Sequence, residues 1–477
     1  MCKHDHSRRQ FLRTASFASM AGVSASPFLM GLNSMAAMAQ SNTSPDYKAL
    51  VCVFLQGGND GHGTVIATDP DSYSAFTQAR SGAPGLAYPL TDLLPITLQT
   101  PQSGRTFALN PYLTGVQNLF NAGRAAIVAN TGTLIVPATK TQVNANSVPL
   151  PDSLFSHFDQ TAAWQSVASN LGSGEHVGWG GAVADLIESM NMNSNSMFTC
   201  ISTSGIALFL SGQSSFQLNC TPAGPIPISG LAQPLFGNSA GTSALNSILS
   251  AEEANLFAKE YEVVIQRSIQ AQATLASSML PAGASGVPNP TQFLDPTTQK
   301  LMDNPLAASL QTVARIIGGR AGLGVTRQIF YVQLGSFDTH NNQAQLHATL
   351  LTQLGEAFEY FDGLMTSMGL GNQVTTFTAS DFGRTLTSNS NGTDHGWGSH
   401  HFVVGGAVQG QNMYGQYPVI GVNQANDLGA GRLIPTTSVD QYAGTLAKWF
   451  GLSDGQIRTV LPNFGNFGSS PYLGFMG

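Results

Sequence analysis

The sequence predicts an α/β fold: a three-layer sandwich with helices on both faces of a largely parallel central sheet. Three observations carry this. Short apolar runs recur along the chain, and they are continuous rather than alternating. A strand that is apolar at every residue is covered on both faces, the usual condition of a parallel sheet with crossover helices. Segments with helical periodicity separate the runs, and polar loops rich in Asp, His and Gly follow directly after several of them. In such folds, sites form beyond the carboxyl ends of the strands.

The predicted strands cover residues 49–55, 125–129, 328–334 and 374–378, each rich in β-branched or aromatic residues and each ending at Gly, Asn, Ser or Asp. Helical periodicity marks residues 251–280, 301–317 and 345–368, and a last short helix over 440–450 with Ser438 as its cap. Residues 198–250 are rich in Ser, Gly, Pro and Leu and are expected to form an inserted cap or set of surface hairpins. Residues 281–296 read as a Pro/Gly loop.

The chain opens with Ser7-Arg8-Arg9-Gln10-Phe11-Leu12-Arg13, a run of small and apolar residues to Met38, and an A-x-A pattern at Ala37-Met38-Ala39. Paired arginines before such a run mark a twin-arginine signal peptide over residues 1–39. The expectation is export through the twin-arginine translocase to the periplasm or beyond, leaving residues 40–477 as one domain. Gly22, Pro27, Gly31 and Asn33 interrupt the run, which argues against a membrane anchor.

The leader holds four of the 19 basic residues and one of the 26 acidic ones, so the remainder carries 15 against 25, a net of −10. An acidic surface excludes nucleic acid and anionic membrane as natural partners. Cys52, Cys200 and Cys220 remain after the leader. Cys52 reads as a buried small hydrophobe; Cys200 and Cys220 flank a stretch that reads as a hairpin, with pairing left open.

The chemistry-bearing residues gather at strand ends. Gly57-Gly58-Asn59-Asp60-Gly61 follows the first strand, Phe337-Asp338-Thr339-His340 another, and Ser380-Asp381-Phe382-Gly383-Arg384 a third. A Gly-rich loop then carries Asp394-His395 and, further on, His400-His401. Asp and His arriving from separate loops suit zinc, or manganese or calcium where oxygen ligands dominate. Asp60 reads equally well as a turn or helix cap, and alternation sends at most one of His400 and His401 towards a site. Ser156, before a helical segment, is a candidate nucleophile, with a plain N-cap as the competing and favoured reading.

These strings resemble an exported bacterial family catalogued as domain of unknown function 1501. The matching segments run from Phe54-Leu55-Gln56-Gly57-Gly58-Asn59-Asp60-Gly61 through Ser156-His157-Phe158-Asp159 and Phe337-Asp338-Thr339-His340. They continue to Ser380-Asp381-Phe382-Gly383-Arg384, Gly392-Thr393-Asp394-His395-Gly396-Trp397-Gly398 and Trp449-Phe450-Gly451-Leu452. That family looks like a distant branch of the alkaline phosphatase and sulfatase superfamily. The resemblance implies an alkaline-phosphatase-like fold and a divalent metal held by Asp60, Asp338, His340, Asp381 and His395. It also implies Ser156 as nucleophile. Arg384, read from the residue itself, is a bidentate clamp for the transferring group or a salt-bridge partner of Asp381.

Departures are visible. The superfamily pair Asp-x-x-x-His is here Asp338-x-His340, and Phe382 follows Asp381 where an Asp-His pair is common. These departures leave open a one-metal site, one rebuilt with His157 or His400, or no catalysis at all. Cys220-Thr221-Pro222-Ala223-Gly224 lacks the final Arg of a formylglycine sulfatase. The expected function is metal-dependent hydrolysis of phosphate esters, sulfate esters ranking second, on a small-molecule or polysaccharide substrate. The rival is a non-catalytic exported binding or assembly protein on the same fold.

Overall fold

All four apolar runs become strands of one sheet. The computed structural model describes residues 47–477 except 84, 103, 167–176, 229, 232, 236 and 250–254. The expected leader, residues 1–39, lies outside the described residues. The main sheet contains β1 (Lys48–Leu55), β2 (Ala125–Gly132), β3 (Cys200–Ser202), β4 (Gln217–Thr221), β5 (Gly224–Pro225), β6 (Arg327–Leu334), β7 (Val374–Ser380), β8 (Ser399–Val404), β9 (Asn412–Tyr414) and β10 (Thr437–Ser438). The order is β9-β2-β8-β7-β1-β6-β3-β4-β5, with β10 also pairing β2. β1 is central, parallel to β6 from Lys48↔Arg327 to Leu55↔Leu334 and to β7 from Ala49↔Val374 to Leu55↔Ser380. β8 runs against both its neighbours, and β5 runs against β4.

The flanking helices used below are α1 (Pro70–Ala79), α2 (Thr114–Asn121), α3 (His157–Ser166), α4 (Trp179–Ser189), α5 (Leu256–Ser278), α6 (Pro305–Gly318), α7 (Gln343–Ser367) and α8 (Val439–Phe450). Their ends follow local chemistry. Asn304 caps α6 through the Ala307 amide, with Pro305 in its first turn. Ser438 and Gln441 form a reciprocal capping box on α8.

Successive β1 residues enter opposite cores, as the pleat requires. Ala49, Val51, Val53 and Leu55 pack with α2, α6 and α7. Leu50, Cys52 and Phe54 pack with α4 and α8 on the other face. That is the three-layer arrangement. No helix among the described residues is long and apolar enough to cross a membrane.

Residues 198–250 differ from the expected insertion. β3, β4 and β5 lie within this span and extend the main sheet. They are short, and β4 is half-exposed, so they lack the continuous apolar signal of the central strands. Among the described residues of this span, the Leu208–Leu210 turn of 3-10 helix and the Ser239–Leu249 helix lie outside the sheet, the latter with no buried residue. Nor do Cys200 and Cys220 flank a hairpin, because β3 and β4 are parallel and Cys200 pairs with Gln217. Cys220 sits further along its strand by roughly 10 Å at about 3.3 Å per residue. That exceeds the reach of about 7 Å for a disulfide, and Cys52, Cys200 and Cys220 are all free thiols.

Candidate metal centre

The loops after β1, β6 and β7 meet at the carboxyl ends of their strands. Gly57 and Gly58 adopt φ of 114° and 84°, a region open to glycine. A Cβ on Gly57 would lie 2.3 Å from the Asp338 nitrogen, so only glycine lets these loops touch. The Gly57 amide donates to Asp381 Oδ1 at 2.9 Å. Its carbonyl accepts from Arg384 Nη1 at 3.2 Å.

Three imidazoles surround Asp338, and each is held through Nδ1. His395 Nδ1 lies 2.7 Å from the Phe155 carbonyl oxygen. A carbonyl only accepts, so Nδ1 carries the proton and neutral His395 presents a lone pair on Nε2. His157 Nδ1 lies 2.7 Å from Asp381 Oδ2, and His340 Nδ1 3.3 Å from Asp394 Oδ1. The Nε2 atoms all turn to one carboxylate. His340 and His395 approach Asp338 Oδ1 at 3.0 and 3.3 Å, and His157 approaches Oδ2 at 3.4 Å.

This arrangement fits a divalent ion. Potential ligand atoms of His157, Asp338 and His395 lie within 4.8 Å of one another. Among the described residues, His157 Nε2 is buried without a hydrogen-bond partner. The Nε2 atoms of His340 and His395 are 2.9 Å apart; two lone pairs at that distance repel unless a proton or a metal lies between them. Metal-binding histidines characteristically give the other ring nitrogen to a carboxylate or carbonyl, as all three do here.

The local field favours an ionised Asp338. Burial pushes its carboxyl upward, but the hydrogen bond and charge of Arg384, with His340 and His157, hold it below the ordinary value. The hydrogen bond to Asp381 raises His157 against the opposing effect of burial. His395 is lowered, chiefly by burial.

Of the residues singled out in the sequence, Asp338, His340 and His395 come together directly, and Asp381 joins them through His157. His157 was legible as a replacement ligand beside Ser156. Asp394, the Nδ1 partner of His340, sits next to His395 in the chain but gave no separate signal.

Asp60 and Ser156 are not brought into this cluster. Asp60 is 2 % exposed and meets Arg80 in a bidentate pair at 2.8 Å through both contacts. Its oxygens also accept from Gly63 N at 3.1 Å and Gln343 Nε2 at 2.6 Å. Burial opposes its ionisation, yet the charge and hydrogen bonds of Arg80 hold the carboxyl far below its usual range. Gln343 in turn accepts from Thr393, whose backbone and side-chain oxygens both hold Arg384. Asp60 therefore braces the site from behind. Ser156 Oγ accepts from the Asp159 amide at 3.5 Å, capping the first turn of α3.

Arg384 is fully buried and pairs with Asp338 at 2.7 Å rather than with Asp381. Its Nε, Nη1 and Nη2 all donate to protein acceptors. It positions the Asp338 carboxylate, with every guanidinium nitrogen engaged. His400 and His401 are both buried on strand β8, beside Tyr417 and Trp164 respectively.

Residues 47–462 match the family model described as "Protein of unknown function (DUF1501)". The chain belongs to that family. No curated protein matches this DUF1501 chain in sequence. Solved structures similar to it include Ps i-CgsB, at 7% identity and a TM-score of 0.34, covering 86% of this chain and 74% of that one. The phosphonate monoester hydrolase SpPMH from Silicibacter pomeroyi is similar at 7% identity and a TM-score of 0.34, with 85% and 74% covered. The PsFucS1 sulfatase from Pseudoalteromonas sp. is similar at 7% identity and a TM-score of 0.32, with 90% and 72% covered.

Proposed function

We propose that this DUF1501 protein is an exported metal-dependent hydrolase of phosphate esters, with sulfate esters ranking second. The observation that supports it is the convergence of three imidazole Nε2 atoms on Asp338, beside an open cleft of about 860 Å³. Three nitrogen donors with one carboxylate suit zinc best and manganese next. They suit calcium poorly, since it takes six to eight oxygens. His157, Asp338, His340 and His395 would hold the ion, which when bound polarises an ester oxygen and acidifies a coordinated water.

The protein's own groups do the positioning. Asp381, Asp394 and the Phe155 carbonyl fix the three rings. Arg384 orients Asp338 and keeps it ionised. With Ser156 engaged as a cap, the attacking oxygen in this reading comes from water. The twin-arginine leader supports periplasmic or secreted placement through the twin-arginine translocase, with a small-molecule or polysaccharide ester as substrate.

The test is elemental analysis of protein purified after native export, joined to a panel of phosphate and sulfate esters. One zinc or manganese per chain, and turnover lost in Asp338→Ala, are expected. Bound metal without turnover of any ester would instead favour the binding-protein role. Protein without metal, and not regaining it on incubation with zinc or manganese, would remove the reading altogether.

A further inference from the structure

The cleft beside the metal centre is poor in positive charge. Among the described residues that line it are Asp159, Asp338 and Asp381, and no lysine or arginine. Residues 167–176, between α3 and α4, contain no lysine or arginine either. The guanidinium of Arg384 is hydrogen-bonded to Asp338, but it is fully buried and all its nitrogens are engaged. Arg432 approaches from behind, its Nε donating to the His395 carbonyl at 3.0 Å and its guanidinium lying over the Phe155 ring. A bound metal ion would therefore be the one cation offered to a ligand, and Asp338 offsets part of its charge.

That balance discriminates between esters. A phosphate monoester carries nearly two negative charges at neutral pH. Stabilising them calls for several preorganised cations or donors. A phosphodiester or a sulfate ester carries one.

The walls add a second criterion. Phe158 on α3 and Ile206 after β3 both line the cleft and are 81% and 83% exposed. Phe54, Ala207 and Leu208 continue the apolar surface inward. Large apolar side chains left in water at a cleft mouth mark a place where an apolar ligand group settles.

We propose that the cleft takes a singly charged ester, a phosphodiester before a sulfate ester, bearing an apolar group that packs on Phe158 and Ile206. Phosphate monoester dianions are discriminated against. This rests on the hydrolase reading above and names its substrate class.

The experiment uses the full mature chain loaded with zinc. Bis(4-nitrophenyl) phosphate is expected to exceed 4-nitrophenyl phosphate in kcat/KM by about tenfold or more, with 4-nitrophenyl sulfate between them. Phe158→Ser and Ile206→Ser should each raise KM for the bis ester by roughly tenfold, with kcat kept. Methyl 4-nitrophenyl phosphate, which lacks the second ring, should be less affected. Gln333→Arg, which adds a cation to the lining, should narrow the gap between diester and monoester.

A calorimetric arm compares diphenyl phosphate with phenyl phosphate on the same zinc-loaded protein. Tighter binding of the monoester, or faster turnover of it, overturns the charge proposal and leaves the hydrolase reading standing. If no ester is turned over, the hydrolase reading falls while the calorimetric preference still decides the charge of the ligand. Unchanged KM in both wall variants removes the apolar subsite.

Discussion

Two groups of histidines lie near the same strand ends, and they have opposite fates. In the open group, His157, His340 and His395 are partly exposed, each Nδ1 has an acceptor, and each Nε2 turns to Asp338. In the closed group, His62, His347, His400 and His401 are at most 2 % exposed. Among the described residues His62 has no hydrogen-bond partner on either nitrogen, His400 accepts from the Asn130 amide at 3.0 Å, and His347 meets Asn59 at 3.1 Å. The nearby carboxylate, Asp60, is already taken by Arg80. Imidazoles are disposed to hold a metal when a carboxylate is left to collect them and acceptors fix their tautomers. Without both, burial makes them neutral packing groups. His62 and His347 are pushed down to about 4 and His401 to about 3 by burial, and His400 moves the same way.

The contrast breaks most sharply at Asp338. Asp338→Ala should take bound metal from one per chain to background, with a smaller loss of thermal stability in chelator, because buried Arg384 loses its carboxylate but keeps its Gly57 and Thr393 acceptors. Asp60→Ala should keep the metal and lose more stability. Stranding Arg80 in the interior should cost about 3–5 kcal/mol in urea unfolding, with the folded fraction still binding metal. Metal lost at full stability would instead place Asp60 in the centre. Asp381→Asn should weaken metal affinity by about 10–100-fold, the usual result of removing a carboxylate behind a ligating histidine; competition with a chelator of known affinity reads this.

The smallest effect is on pH dependence and belongs to the closed group. Histidines lowered in the folded state stay neutral there while the unfolded chain binds protons below about 6.5. Their contribution is therefore present above that pH and is lost as pH falls towards about 4. Asp440, pushed up to about 7 by burial, runs the other way over much of that window and offsets one of them. Metal-free protein should lose a net of roughly 1–2 kcal/mol between pH 7 and 6, followed by urea midpoints. A flat profile would mean that the closed group is not held neutral.

The legible parts of the molecule share a cause. Strands β1, β2, β6 and β7 are buried on both faces, and their runs of apolar and β-branched residues revealed them. The short strands β3 and β4, towards one side of the sheet, lack such runs, and their Ser-rich surroundings hid them. Asp338, His340 and His395 stood out because loops at strand ends rarely hold such residues without reason. Asp60 sat in the same kind of loop, but its partner Arg80 lies 20 residues on, past α1, where no local pattern connects them. His157 ranked below Ser156 because a helix start favours a hydroxyl reading. The imidazole one residue later points to the cleft, and the hydroxyl turns back to its own helix.

The position of β1 has a consequence for the order of synthesis. Its two neighbours begin at Arg327 and Val374, so both its edges stay unpaired until most of the polypeptide has been made. An unpaired apolar strand is a template for wrong pairing. Three of the four proposed ligands emerge later still than Arg327, so no nascent fragment short of His395 holds the whole set. Assembly of the proposed set is therefore a late event in the making of the chain. An export route that accepts only folded cargo, as proposed from the leader, would place that event before the membrane and make it a checkpoint for departure.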